Sequence, residues 1–290
     1  MKKIIAAAVA AAFVAPVMAA DVTIGGDVTI TFAETDGADT GSVSSSDILV
    51  SVSEELDNGM TVGFYNDLEF DENSGNGDSD LELSLSGAFG EVTMGDDADA
   101  GYNEFDNKTD VAESGLDTGI DPGVDADVFV QYKPNLGVDG LSVAIGMGAG
   151  TVNEEIVGYG IQYSAAGFAI AFGSADADGV SNNGSHVSAS YATGPFYAAV
   201  DKYDNYDGVE DDEVTALAFT YNYGPGKIYY ESKKVEDGGG NPDLDTVIYG
   251  ASYMIGGRVN TFVQTQNAES GTSLPLTDTD TMTVGVEYAF

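Results

Sequence analysis

The 290-residue chain has no cysteine and no tryptophan, seven prolines and a single histidine, His186. Without cysteine there is no disulfide framework and no thiolate chemistry. One histidine leaves too little for a His-based zinc or haem centre. It sits in Ser185-His-Val-Ser-Ala-Ser190, beside no distinctive nucleophile motif, so a water-facing strand position suits it better than a Ser–His–Asp triad. Bases are scarce: nine Lys and Arg stand against 49 Asp and Glu, a formal charge of -40. Phosphate-rich partners are repelled by such a charge and cations are attracted, so no nucleic acid is expected as a partner. An acidic surface suited to a saline habitat is the competing explanation of the excess. No P-loop or dinucleotide fingerprint occurs in a helical context, and no enzymatic activity is expected.

Long apolar runs are also missing, apart from Ile4–Val14. That run follows Lys2 and Lys3 and precedes Pro16-Val-Met-Ala19. It is shorter than the roughly 20 residues of a membrane-spanning helix. It reads as a signal peptide over 1–19, cleaved after Ala19 or Ala20. Removing Lys2 and Lys3 takes the charge from -40 to -42 and leaves Lys108, Lys133, Lys202, Lys227, Lys233, Lys234 and Arg258 as the only bases.

What fills the rest is alternation. Leu141, Val143, Ile145 and Met147 interleave with Ser142, Ala144, Gly146 and Gly148. Leu217, Phe219, Tyr221 and Tyr223 interleave with Ala216, Ala218, Thr220 and Asn222. A period of two marks strands with one apolar and one wet face. Sixteen such runs start near 21, 46, 60, 79, 91, 125, 141, 156, 168, 185, 196, 212, 227, 244, 258 and 278. Their connections alternate in length. Short turns such as Asp57-Asn-Gly59 and Gly224-Pro-Gly226 alternate with longer acidic stretches at 34–45, 71–78, 97–123, 151–155, 176–184, 205–211, 236–243 and 268–277. Short turns on one rim and long loops on the other predict an all-β, antiparallel up-and-down transmembrane β-barrel of sixteen strands over residues 20–290.

Two features carry a family resemblance. The chain ends on Met282, Val284, Val286, Tyr288 and Phe290, spaced by two, and so resembles outer-membrane barrels whose final aromatic strand is read by the assembly machinery; Phe290 and Tyr288 are the candidate signal. Phe89-Gly90 leads into Glu91-Val-Thr-Met-Gly95, then comes the 27-residue stretch 97–123, then Val130-Gln-Tyr-Lys-Pro-Asn-Leu-Gly137. In this order the chain resembles the trimeric general porins of Gram-negative outer membranes, of the purple-bacterial (alphaproteobacterial) branch. The resemblance implies a passive channel for ions and small hydrophilic solutes, a homotrimer in outer-membrane lipid, and a third external loop folded into the lumen as the constriction. Carried over, the pore acids are Asp97, Asp99, Glu104, Asp106, Asp110, Glu113, Asp117 and Asp121, with Lys108 as the loop's only base.

The chain departs from that family in having no base on its second to fourth strands, where a positive wall would oppose the loop. Their wet faces carry Ser51, Ser53, Tyr65, Asp67, Glu69, Glu82 and Ser84. Asp67, Glu69 and Glu82 are therefore expected on the lumen wall, with selectivity for cations. Tyr65, Tyr102 and Phe105 are candidates to reach the eyelet of a solute-specific channel, one alternative reading. The other is an acidic calcium-binding surface or adhesin-type protein: Asp71 and Asp78, and Asp204 and Asp207, offer the oxygen donors that Ca²⁺ takes, without EF-hand spacing. No other cofactor is implied. Gly25, Gly26 and the Ala/Gly-rich seventh to ninth strands are candidates for close packing between subunits.

Overall fold

A computed structural model describes residues 20–35, 38–70, 78–96, 101–113, 128–149, 155–177, 184–204, 213–236, 244–270 and 279–290. Sixteen strands follow one another: β1 Asp21–Thr35, β2 Ala38–Glu55, β3 Thr61–Glu69, β4 Asp78–Gly87, β5 Gly90–Gly95, β6 Val128–Pro134, β7 Leu141–Ala149 and β8 Glu155–Ala165. The circuit continues with β9 Phe168–Ala177, β10 Ser185–Thr193, β11 Phe196–Asp204, β12 Glu213–Tyr223, β13 Gly226–Glu236, β14 Leu244–Ile255, β15 Val259–Ser270 and β16 Thr279–Ala289. Each pairs antiparallel with its sequence neighbours, and β16 returns to β1 to close a barrel. Among the described residues no helix is long and apolar enough to cross a membrane.

The two strand faces are inverted relative to a water-soluble protein. On β12, Leu217 and Phe219 are 49% and 43% exposed, whereas Ala216 and Ala218 are 0% and 5% exposed. The same outward band holds Ile145, Tyr159, Ile170, Val187, Tyr230, Tyr249 and Val284. Leaving large apolar side chains in water costs about 1.5–3 kcal/mol each, so this surface is stable only in hydrocarbon.

Observed strand starts follow the expected ones closely, with one correction. The second strand was expected near 46 after a loop at 34–45. Instead β1 and β2 stay paired up to Thr35↔Ala38, with one register shift between Thr29 and Ile30. The sequence of 38–45 is small and polar without apolar alternation, so it carries no period-two signal, whereas backbone pairing does not depend on one.

Closure involves the chain's last residue. Asp27↔Ala289 and Val28↔Tyr288 are ladder partners, and Phe290 N–H donates to Gly26 O at 2.9 Å. Tyr288 and Phe290 stack with ring centroids 6.3 Å apart. A Cβ on Gly26 would overlap Asp47 O and stand 2.9 Å from the Phe290 ring. Gly26 is thus a seat for the terminal aromatic within the barrel seam. Gly26→Ala is expected to weaken closure by about 1–3 kcal/mol, the usual cost of overpacking, read as a lower urea midpoint for loss of the heat-modifiable barrel band on electrophoresis.

Candidate functional site

The register sorts every strand residue to one side of the wall, since directly opposed residues share a face. Asp27 faces Asp47, Asp67 faces Asp80 and Tyr65 faces Glu82, all on the side opposite the apolar band. Glu69 occupies the position opposite Asp47, and Asp78 the position opposite Glu69. Asp27, Asp47, Asp67, Asp80 and Glu82 are partly accessible, and Tyr65 Oη donates to Asp67 Oδ2 at 3.3 Å. No Lys or Arg occurs on β1 to β5. The acidic inner wall therefore includes the expected Asp67 and Glu82 and adds Asp27, Asp47 and Asp80.

The other side of the lumen is covered by the connection between β5 and β6. Its described part, residues 101–113, lies on inward residues of β7 to β15. Tyr102 and Phe105 are buried, with Tyr102 beside Ile156, Ala175, Tyr203 and Val214, and Phe105 beside Ala144 and Ala171. Neither aromatic side chain is left to line the open passage.

The polar atoms of this segment are held by wall side chains. His186 Nε2–H donates to Tyr102 O at 2.8 Å, because a carbonyl only accepts; Nδ1 then accepts from Ser188 Oγ at 3.2 Å. Asn107 N–H donates to Tyr203 Oη at 3.0 Å, and Tyr197 Oη–H donates to Lys108 O at 2.7 Å. Asp201 Oδ2 accepts from both Thr109 N–H and Thr109 Oγ1, each at 2.7 Å. Glu231 Oε2 accepts from Val111 N–H at 3.1 Å and Ala112 N–H at 3.2 Å. Asp201 and Glu231 are fully buried. A segment without regular structure must satisfy its backbone donors elsewhere, and here two carboxylates take three of them and one hydroxyl besides.

The charges of the segment are engaged in the same way. Glu104 lies 3.2 Å from Lys133, which is also 3.3 Å from Glu91. Glu113 lies 3.0 Å from Lys227 and accepts from Asn260 Nδ2 at 2.7 Å. Lys227 also donates to Val111 O at 2.8 Å. Lys108 Nζ donates to Gln162 Oε1 at 2.6 Å. Burial pulls the Lys108 ammonium below the ordinary lysine range, and the nearby Asp201 and Asp106 oppose that shift. Of the eight expected pore acids, Glu104 and Glu113 thus tie the segment to the wall, and Asp106 and Asp110 lie within it. Asp97, Asp99, Asp117 and Asp121 lie outside the described residues.

Asp71 and Asp207 also lie outside the described residues. Asp204 ends β11 with its carboxylate 3.4 Å from Lys202. No group of three His, Asp or Glu suited to a metal occurs among the described residues.

The sequence reading missed Asp201 and Glu231. Alternation puts both on the wet face, but a wet-face acid on a strand gives no sign that a segment about 90 to 120 residues away will cover it.

A comparison with curated protein sequences found no match. Among solved structures, the anion-selective porin from Comamonas acidovorans superposes with a TM-score of 0.76 at 18% identity, covering 93% of this chain and 100% of that one. A triple mutant of the Rhodopseudomonas blastica porin gives 0.69 at 16% identity, again with 93% and 100% coverage. A loop-deletion mutant of OmpT, an outer membrane protein of Vibrio cholerae, gives 0.70 at 18% identity, with 94% and 100% coverage. The family model described as Gram-negative porin matches residues 6–273, so this chain belongs to the Gram-negative porins and is a channel protein of the outer membrane.

Proposed function

We propose that the protein is a passive, cation-selective pore for ions and small hydrophilic solutes, with residues 97–123 as its constriction. The observation that carries this reading is the base-free acidic wall of β1 to β4 across from the inward segment. Asp27, Asp47, Asp67, Asp80 and Glu82 stand where no lysine or arginine of β1 to β5 opposes them. Between low-dielectric walls such a row concentrates counter-ions. Glu104 and Glu113 contribute less to the field, because Lys133 and Lys227 sit beside them. The anion selectivity named for the Comamonas porin, on the same fold, fits the idea that wall side chains and not architecture set the sign. Export is assigned to residues 1–19, removed after Ala19 or Ala20.

A homotrimer is favoured by the uneven outer surface. Outward aromatics crowd β8 to β14, among them Tyr159, Tyr163, Phe168, Tyr191, Phe219, Tyr230 and Tyr253. On β2 to β5 the outward positions are mainly aliphatic, such as Ile48, Leu81, Leu83 and Met94. Among them Asn66, between Val50 and Leu81 in the ladder, has an Oδ1 buried without a hydrogen-bond partner. A polar amide on the outward face is costly against hydrocarbon, and a neighbouring subunit packed over this patch would take it out of lipid.

Three outcomes are expected. In planar bilayers under a KCl gradient the unmodified protein gives a strongly K⁺-selective reversal potential. The triple substitution Asp27→Asn, Asp47→Asn, Asp67→Asn moves it toward zero; an unchanged potential removes the wall acids from the selectivity filter. Asp201→Ala and Glu231→Ala each leave donors of the inward segment unpaired, at a cost of about 1–3 kcal/mol. They should expose residues 101–113 to protease while the barrel stays intact. Because the chain has no native cysteine, Asn66→Cys treated with a short bis-maleimide tests the subunit contact: cross-linked oligomers are expected there and none from Ile170→Cys.

A further inference from the structure

The small residues of the seventh to ninth strands do not lie on the outer surface as a packing stripe for a subunit. Ala144, Gly160, Gly173 and His186 form one row of the inner wall, each the ladder partner of the next. The inward connection begins its described course on this row. Gly101 adopts a φ of 92°, and a Cβ on it would stand 2.9 Å from Gly146 N, so only glycine fits there without strain. A Cβ on Gly160 would overlap Gly101 O and stand 3.0 Å from the Phe105 ring. A Cβ on Gly173 would overlap Tyr102 O and the His186 ring. Backbone lies directly on backbone across this recess, and His186, 1% exposed, locks it by donating to Tyr102 O at 2.8 Å.

We infer that Gly160, Gly173 and His186 are positioning residues for the pore. They fix how deeply the connection between β5 and β6 beds into the wall of β7 to β10, and so how much width is left beside the acids of β1 to β4. The inference rests on the reading of 97–123 as the constriction. The three residues act through the segment that covers them and do not touch permeating ions. One added methyl in the recess cannot be absorbed by a side-chain rotation alone, because the nearest obstructing atom at each glycine is a backbone oxygen. The segment has to lift toward the open side, and the passage narrows.

Single-channel conductance and reversal potential in planar bilayers test this. Gly160→Ala and Gly173→Ala are expected to lower conductance about twofold or more, since conduction follows the width and lining of the constriction. Gly63→Ala is the matched control, an inward glycine whose added Cβ meets only the Ser84 side chain; it should conduct like the unmodified protein. His186→Ala, which removes the donor to Tyr102 O, should change conductance. His186→Gln, which keeps an N–H donor, should restore it, and a purely structural histidine would show no such split. If the alanine variants at the glycines do not assemble, the two His186 variants decide. Unmodified conductance and reversal potential in Gly160→Ala, Gly173→Ala and His186→Ala would overturn the inference. An unmodified protein that does not conduct would instead overturn the channel reading itself.

Discussion

Hydrogen bonding of the backbone in hydrocarbon is the constraint on which the whole structure depends. A strand edge left open inside a bilayer exposes N–H and C=O groups that no water can satisfy. Closure of β16 on β1 removes that edge, and sixteen antiparallel ladders leave no open edge in the wall. Everything else follows from the ring so formed. It forces each strand to present one face to lipid and one to the lumen. It brings the first and the last strand together at the β1–β16 seam. It also requires a small residue at Gly26, where Phe290 lies over the joint.

Inside the ring the lumen has two unlike sides. From β7 to β15 the wall is built of small residues and of hydrogen-bonding groups such as His186, Asp201, Glu231 and Asn260, and the segment 101–113 lies on it. From β1 to β4 the wall carries carboxylates and is not covered by that segment. The asymmetry follows from where irregular backbone can be tolerated. A non-helical, non-strand segment at membrane depth must find partners in protein or water. Buried carboxylates that accept backbone N–H groups supply them while gaining partners for their own charge. The segment therefore lies where such partners are.

Much of this was legible in the sequence. Alternation gave nearly every strand start, because apolar residues are needed wherever a strand meets lipid. It failed for 38–45, which lacks apolar alternation although β2 runs through it as a paired strand. Parity puts Asp67 and Glu82 on the face opposite the apolar band, where in the register they oppose Asp80 and Tyr65. The same rule places Asp27, Asp47 and Asp80 there, but without the closed register nothing distinguished them from acids of the rims. Two further readings were displaced. Tyr102 and Phe105, candidates for the eyelet, are buried against the wall, and the Ala/Gly-rich strands hold the inward segment on their inner face.

By itself the sequence determined the period of two, the sixteen-fold repetition, the alternation of short and long connections and the sign of the charge. Each is a local or compositional property, imposed residue by residue by the surroundings of a strand. Only the tertiary structure decided which wet-face residues are covered and which stay open, and which carboxylates hold backbone and which face the passage. Those distinctions arise from contacts such as Thr109 with Asp201 and Val111 with Glu231, between residues about 90 and 120 positions apart. Such contacts exist only once the ring has closed around the segment, and no local pattern along the chain records them.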